Sequence, residues 1–297
     1  MRTGLQSLGY WMRRPTGFTD AEILPYYTDV VGLPLMRVGP AVSLLWAGED
    51  LVFEIKTEDD PGTEATDLAT AQLLPVFRSY DLAATRARFA AAGYEQVTEQ
   101  RTEHSSRLWV TGPDRLLLGF EQRDEDSPFE ADAEALRRWR SGSGTVLPGN
   151  GPLPDELQYL SRARRQVADL EAARAFYRDV VGLDEVGEES GAAVFAMGDT
   201  VLLELAPGGA SRPLPSNRTE LPDSFILRVH GFFESVDART QAGAVWVGDQ
   251  IHYETGSKLA YFADPEGLLV GIEHRTLWGS YAEDVEAERR WALQTAG

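Results

Sequence analysis

The chain has 297 residues, enough for two domains that each bury a core, and its 43% hydrophobic and 10% aromatic content is that of a globular protein. A formal net charge of -19 excludes a general binder of nucleic acid or anionic membrane, because phosphate repels an acidic surface. With no cysteine there are no disulfides, zinc–thiolate centres or thiol nucleophiles; no apolar run reaches the roughly 18 residues of a membrane helix, and the N-terminus lacks the apolar stretch of a secretory signal, so a cytoplasmic protein is expected.

Taken in chain order, Asp20 to Val31 reads as a helix, with strands at Ser43–Trp46 and Leu51–Ile55 after it. Pro75–Ser79 is the next strand, and Asp81 caps a helix over Leu82–Ala92 that Gly93 ends. Strands near Glu95–Glu99, Arg107–Val110 and Leu116–Glu121 lead to a polar helix carrying Trp139. The stretch from Ser141 through Pro154, rich in Gly, Ser and Pro, reads as a linker. Beyond it, Arg162–Val167 is an unusually polar strand, Asp169 is an N-cap, and Leu170, Ala173, Tyr177 and Val180 recur at helical spacing until Gly182. Ala193–Met197 and Thr200–Leu205 are strands around a Gly198-Asp199 turn, with a short extra strand near Glu185. Phe225–Val229, a short helix Ser235–Gln241 and strands near Ala244–Val247, Ile251–Glu254, Lys258–Phe262 and Leu268–Glu273 complete the chain, before a second polar helix carrying Trp291.

The sequence is written twice. Asp114-Arg115-Leu116-Leu117-Leu118-Gly119-Phe120-Glu121 returns as Glu266-Gly267-Leu268-Leu269-Val270-Gly271-Ile272-Glu273, and at the same offset Phe129–Trp139 is echoed by Tyr281–Trp291. Tyr26-Tyr27-Thr28-Asp29-Val30-Val31-Gly32-Leu33 likewise answers Phe176-Tyr177-Arg178-Asp179-Val180-Val181-Gly182-Leu183. The period far exceeds the roughly 20–50 residues of solenoid repeats. It predicts two copies of one domain, 1–140 and 155–297, joined by a linker at 141–154, each copy split into two βαβββ units.

The string Asp169 to Leu183 resembles the helix signature of the vicinal oxygen chelate superfamily, and Tyr261-Phe262-Ala263-Asp264-Pro265-Glu266-Gly267 is similar to its strand–turn element. That superfamily includes glyoxalase I, extradiol dioxygenases, fosfomycin-resistance enzymes and bleomycin-binding proteins. The resemblance implies an α+β fold of four βαβββ modules in two tandem domains, and a divalent metal held in a cup by His or Gln, Glu, His and Glu from the first and last strands of paired modules. In the second half those positions fall on Arg162, Glu204, Ser224 and Gly271; in the first, on Arg13 or Met12, Glu54, Leu74 and Gly119. Only the glutamates are ligand types, because a guanidinium stays protonated and glycine and leucine offer no donor.

No metal is therefore expected; iron, manganese or zinc, held through His252 with Glu204, is the alternative. Glu204, Arg162 and His252 are the candidate reactive groups. Arg164 and Gln166 alternate with Arg162 and point the same way, which favours a wet or ligand-filled cup over a dry core. With Ser224, Gly271, Glu273 and Trp246 they form the candidate ligand-binding set. Gly119 and Gly271 are expected to widen the floor of each cup, and Glu121 and Glu273 to be solvated carboxylates at strand ends. Phosphate loops, nucleophile elbows and dinucleotide fingerprints are absent from the sequence. Three readings stay open: a metal-independent binder of a small aromatic or natural-product molecule; a lyase, isomerase or ring-cleaving dioxygenase of the same superfamily; and a pseudo-enzyme serving assembly, a homodimer included.

Overall fold

The computed structural model describes residues 5–15, 17–39, 41–48, 51–57, 68, 71–94, 96–141, 157–217, 219–248, 252–254 and 257–275. Four units of one pattern follow one another. The first is β1 (Leu5–Arg13), α1 (Asp20–Pro25) continued by a π-helical turn (Tyr26–Val31), β2 (Leu35–Val38), β3 (Val42–Trp46) and β4 (Val52–Lys56). The second is β5 (Leu73–Ser79), α2 (Leu82–Ala91), β6 (Gln96–Arg101), β7 (Ser105–Thr111) and β8 (Leu117–Arg123), with α3 (Glu130–Arg140) after it. The third is β9 (Leu157–Val167), α4 (Leu170–Ala175) with its own π-helical turn (Phe176–Val181), β10 (Asp184–Glu189), β11 (Ala192–Ala196) and β12 (Leu202–Pro207). The fourth is β13 (Asp223–Val229), α5 (Phe232–Gln241), β14 (Val245–Trp246), β15 (His252–Glu254), β16 (Ser257–Ala263) and β17 (Leu269–Arg275).

Local chemistry sets these boundaries. Asp81 and Asp169 accept from the backbone N–H groups of Ala84 and Ala172, as N-caps do. Gly32 and Gly182 end the first- and third-unit helices at φ of 88° and 89°, a left-handed conformation that a Cβ would strain. The linker at 141–154 lies almost wholly outside the described residues, and the helix expected around Trp291 entirely so. Among the described residues no helix is long and apolar enough to cross a membrane.

The units combine in an order that the repeat does not announce. One curved sheet runs β14-β16-β17-β13-β1-β4-β3-β2, with β15 paired to β16; the other runs β10-β11-β12-β9-β5-β8-β7-β6. The first strand of each unit is its open edge, and an open edge seeks a partner. β1 pairs antiparallel with β13, and β5 with β9. Each sheet therefore takes one unit from each half of the sequence. The expectation that a half closes its own cup is corrected: units one and four share a cup, and so do units two and three.

Two buried arginines lock the sheets together at equivalent points. Arg13 donates to Asp223 through Nε and Nη2 at 3.0 and 3.1 Å and to the Tyr27 hydroxyl at 2.9 Å, and that hydroxyl donates to Asp114 at 2.5 Å. Arg165 donates from Nε to Asp264 at 3.0 Å, and the Tyr177 hydroxyl donates to the same carboxylate at 3.3 Å. Asp114 precedes β8 in one sheet while Arg13 lies in the other, and Asp264 and Arg165 reverse that relation. Nearby, Glu266 accepts the backbone N–H groups of Ala168 and Asp169 at 2.6 and 2.7 Å. The repeated tyrosine of the two π-helical turns is thus a buried hydroxyl bridge between units. Asp264→Ala strands Arg165 without its main counter-charge and is expected to lose about 3–5 kcal/mol in urea denaturation, whereas the apolar pair Asp264→Leu with Arg165→Met loses much less.

Candidate functional site

The cup of the second sheet is built from alternate residues of adjacent strands. β9 contributes Arg162, Arg164 and Gln166; β12 contributes Glu204; β8 contributes Gly119 and Glu121; β7 contributes Arg107 and Trp109; β5 contributes Leu74, Val76 and Arg78. Glu121 and Arg162, both 0% exposed, meet at 2.9 Å, and Arg107 reaches the other Glu121 oxygen at 3.1 Å. Arg107 also crosses the cup to Glu204, with Nη1 at 3.1 Å from Oε1, and Arg164 closes on the same carboxylate. This bar joins unit two to unit three.

On one side of the bar the cup is filled with charge. Asp132, carried in by α3, accepts from Arg78 at 2.8 Å and Arg162 at 3.1 Å, and lies 2.8 Å from Arg123. Glu189 of β10 takes Arg123 at 2.9 Å and stands 3.6 Å from Arg162. The Phe129 ring lies against the guanidiniums of Arg162 and Arg123, at 5.4 and 5.8 Å from its centroid. On the other side lies an apolar wall of Ala71, Leu74, Val76, Trp109 and Leu117. Gly119 shapes it: a Cβ there would stand 2.7 Å from the Trp109 ring and 3.0 Å from Val76. The glycine lets an indole lie flat on the strand, so the expected widening of the floor is corrected to a floor paved by Trp109. Gly271 does the same for Tyr261 and Ile226 in the other cup.

Burial alone would push Glu121, Asp132 and Glu189 up, but the guanidiniums around them outweigh it and hold all three below the usual carboxylate range. Arg162 and Arg107 act on Glu121, Arg78 and Arg162 on Asp132, and Arg123 and Arg162 on Glu189. The expectation of a solvated carboxylate at Glu121 is corrected, because its strand end lies beneath α3. Glu273 is also buried, in the first sheet.

Of the expected constellation, Glu204, Arg162, Arg164 and Gln166 converge, with Gln166 donating to the Leu68 carbonyl at 2.7 Å. Ser224, Gly271 and Glu273 line the first sheet, where Ser224 Oγ takes Arg14 at 3.3 Å. They are apart from Arg162 and Glu204 because the cup draws its second unit from the other half. Leu74 and Gly119, assigned to the first half, are the residues that face Arg162. Arg13 turns to the helix side, toward Tyr27, and Met12 takes the cup side, where the Tyr261 hydroxyl donates to its sulfur at 3.1 Å. Trp246 leaves the ligand-binding set: its ring packs 5.3 Å from Phe262 and its N–H meets Thr240 at 3.0 Å, outside the cup. His252 stands in β15 of the first sheet and Glu204 in β12 of the second, so the two strands belong to different sheets; the His252 side chain lies outside the described residues. Arg107, Asp132 and Glu189 were missed by sequence reasoning. Arg107 alternates with Trp109 in β7, a signal that was there to be read; Asp132 sits in a polar helix whose docking face the sequence does not mark.

The donors at the four metal positions of this cup do not fit a divalent cation. Arg162 is a cation itself, Leu74 and Gly119 carry no donor, and Glu204 is engaged by two guanidiniums. Among the described residues no cluster of three or more His, Asp or Glu could hold a metal ion.

Residues 159–272 match the family model of the Glyoxalase/Bleomycin resistance protein/Dioxygenase superfamily. That match covers 114 of the 297 residues, all of them in the second half of the chain. The fold extends the likeness over the whole molecule: a putative dioxygenase from Bacillus subtilis subsp. subtilis str. 168 aligns over 98% of this chain and 94% of its own at 12% identity, TM-score 0.64. Glyoxalase I from Zea mays aligns over 98% and 97% at 15% identity, TM-score 0.60. At such identities the likeness is one of fold. No curated protein sequence matches the chain significantly. The likeness carries the tandem βαβββ architecture, and the chemistry rests on the residues in the cup.

The three depressed carboxylates give the cup an acid dependence. A carboxylate with a lower pKa folded than unfolded stabilises fully above its unfolded value, and that stability is lost as pH falls toward the folded one. The urea midpoint is expected to hold from neutrality to about pH 4.5 and then to fall steeply. In Glu121→Gln the fall is expected to be shallower, read by denaturation across the same range.

Proposed function

We propose that the protein is a metal-independent binding protein for a small aromatic molecule such as a natural product, and that the cup of the second sheet receives it. The observation that carries this reading is Glu204, which stands at a metal-ligand position of the superfamily yet is clasped by Arg107 and Arg164. Fixed guanidinium and carboxylate groups take the place of a metal as the polar end of the cup, and the buried cluster around Trp109, against which Leu68 packs, is its apolar end. Maize glyoxalase I shares the fold, so a lyase or isomerase running on the same groups is the competing reading; it requires turnover that Glu204→Gln abolishes.

The test is a thermal-shift screen of aromatic and natural-product compounds on protein stripped with chelator. A true ligand at about 100 times its Kd adds about 2.7 kcal/mol, a rise of roughly 5–10 °C in a chain of this size. The rise is expected to be the same with chelator present. Stoichiometric uptake of iron, manganese or zinc that ligand binding depends on would overturn the reading, and catalytic consumption of the ligand would move it to the enzyme class.

A further inference from the structure

Among the described residues the charges in the second cup do not balance. Arg78, Arg107, Arg123, Arg162 and Arg164 form one connected cluster with Glu121, Asp132, Glu189 and Glu204, five guanidiniums to four carboxylates among the described residues. Two N–H groups of the excess have no acceptor. Arg162 Nη1 and Arg164 Nε are buried without a hydrogen-bond partner, although Nε and Nη2 of Arg162 and Nη1 of Arg164 are engaged. A donor left unmet inside a protein costs more than a hydrogen bond gains, and more again when it is charged. Both side chains leave the same face of β9, one strand repeat apart, beside Arg107 and the wall bearing Trp109 and Leu74. Arg164 feels the surplus: burial and the neighbouring guanidiniums of Arg107 and Arg162 push it down to about 9.

We infer that the cup holds a subsite for one negative charge, the carboxylate of a flat aromatic acid, received by Arg162 Nη1 and Arg164 Nε with the ring against Trp109. This deepens the binding role proposed above and rests on it. A monoanion restores the balance, satisfies both unmet donors and brings its own apolar face to the wall. A neutral isostere brings the apolar face and a carbonyl acceptor but no charge. Glu204 sits beside the subsite as a competing negative charge, so it tunes the subsite in the direction opposite to Arg164.

The test uses two probes of one shape, 2-naphthoate and 2-naphthamide, titrated into the full chain by calorimetry and tryptophan fluorescence. The acid is expected to bind at least about ten-fold more tightly than the amide, since hydrogen bonds to a charged group are worth that much. Arg164→Gln abolishes the preference by weakening the acid far more than the amide, and chloride weakens the acid alone. Glu204→Gln strengthens the acid several-fold, an effect opposite in sign to loss of a structural contact. Should Arg164→Gln fail to fold, Glu204→Gln still decides between the outcomes, because a variant with no gain for the acid overturns the subsite. Equal affinities for acid and amide overturn the anion subsite and leave the binding role standing. Failure of both probes to bind at millimolar concentration overturns the subsite, and if the compound screen also gives no shift, the binding role falls with it.

Discussion

A guanidinium taken out of water must be met by acceptors that leave water with it, and in the two sheets' centres those acceptors are carboxylates. Among the described residues six arginines are at most 1% exposed, and for four of them, Arg13, Arg107, Arg162 and Arg165, the positions of Asp114, Asp223, Asp264, Glu121, Asp132, Glu189 and Glu204 follow from that demand. Desolvating two ions costs several kcal/mol each, and their attraction repays it only when geometry and extra hydrogen bonds are right. Here geometry comes from strands: β9 alone sends Arg165 to one face and Arg162 and Arg164 to the other, so a single strand ties the molecule together and furnishes its cup. The same constraint explains α3, whose Asp132 reaches in to neutralise Arg78 and Arg162.

The two cups show what duplication allows. Glu121 and Glu273 occupy equivalent points, as do Gly119 and Gly271, and each glycine makes room for a ring from the neighbouring strand. The polar content then diverges. Where β9 carries Arg162 and Arg164, β1 carries Tyr10 and Met12, so the cluster around Arg162 has no copy in the first sheet, whose buried charged residues include Arg14, Lys56, Arg228 and Glu273.

Much of this was legible in the sequence. The repeated Tyr-x-Asp-Val-Val-Gly-Leu run located both helices and their glycine ends, and alternation in Arg162-Ala163-Arg164-Arg165-Gln166 placed three polar groups on one face. What failed was pairing between units. A repeat reports that two segments are alike and carries no record of which edge meets which. The partners of Arg162 come from β8, α3 and β10, elements brought together only by the pairing of β5 with β9. Trp246 was misplaced for a related reason: an aromatic residue near the cup in sequence sits on whichever face its strand register dictates, and β14 turns it toward Phe262.

The exchange of units between the halves also governs how the chain reaches its fold. β1 finds its antiparallel partner only in β13, and the ion pair from Arg13 to Asp223 spans 210 residues of sequence. During synthesis the first unit therefore waits, its inner edge open, until the fourth has emerged, whereas units two and three can close on each other early. Contacts of such long range are slow to form, and an open edge is the place where a nascent chain mispairs or aggregates. The central pair of units is the natural nucleus, and units one and four fold last, onto each other.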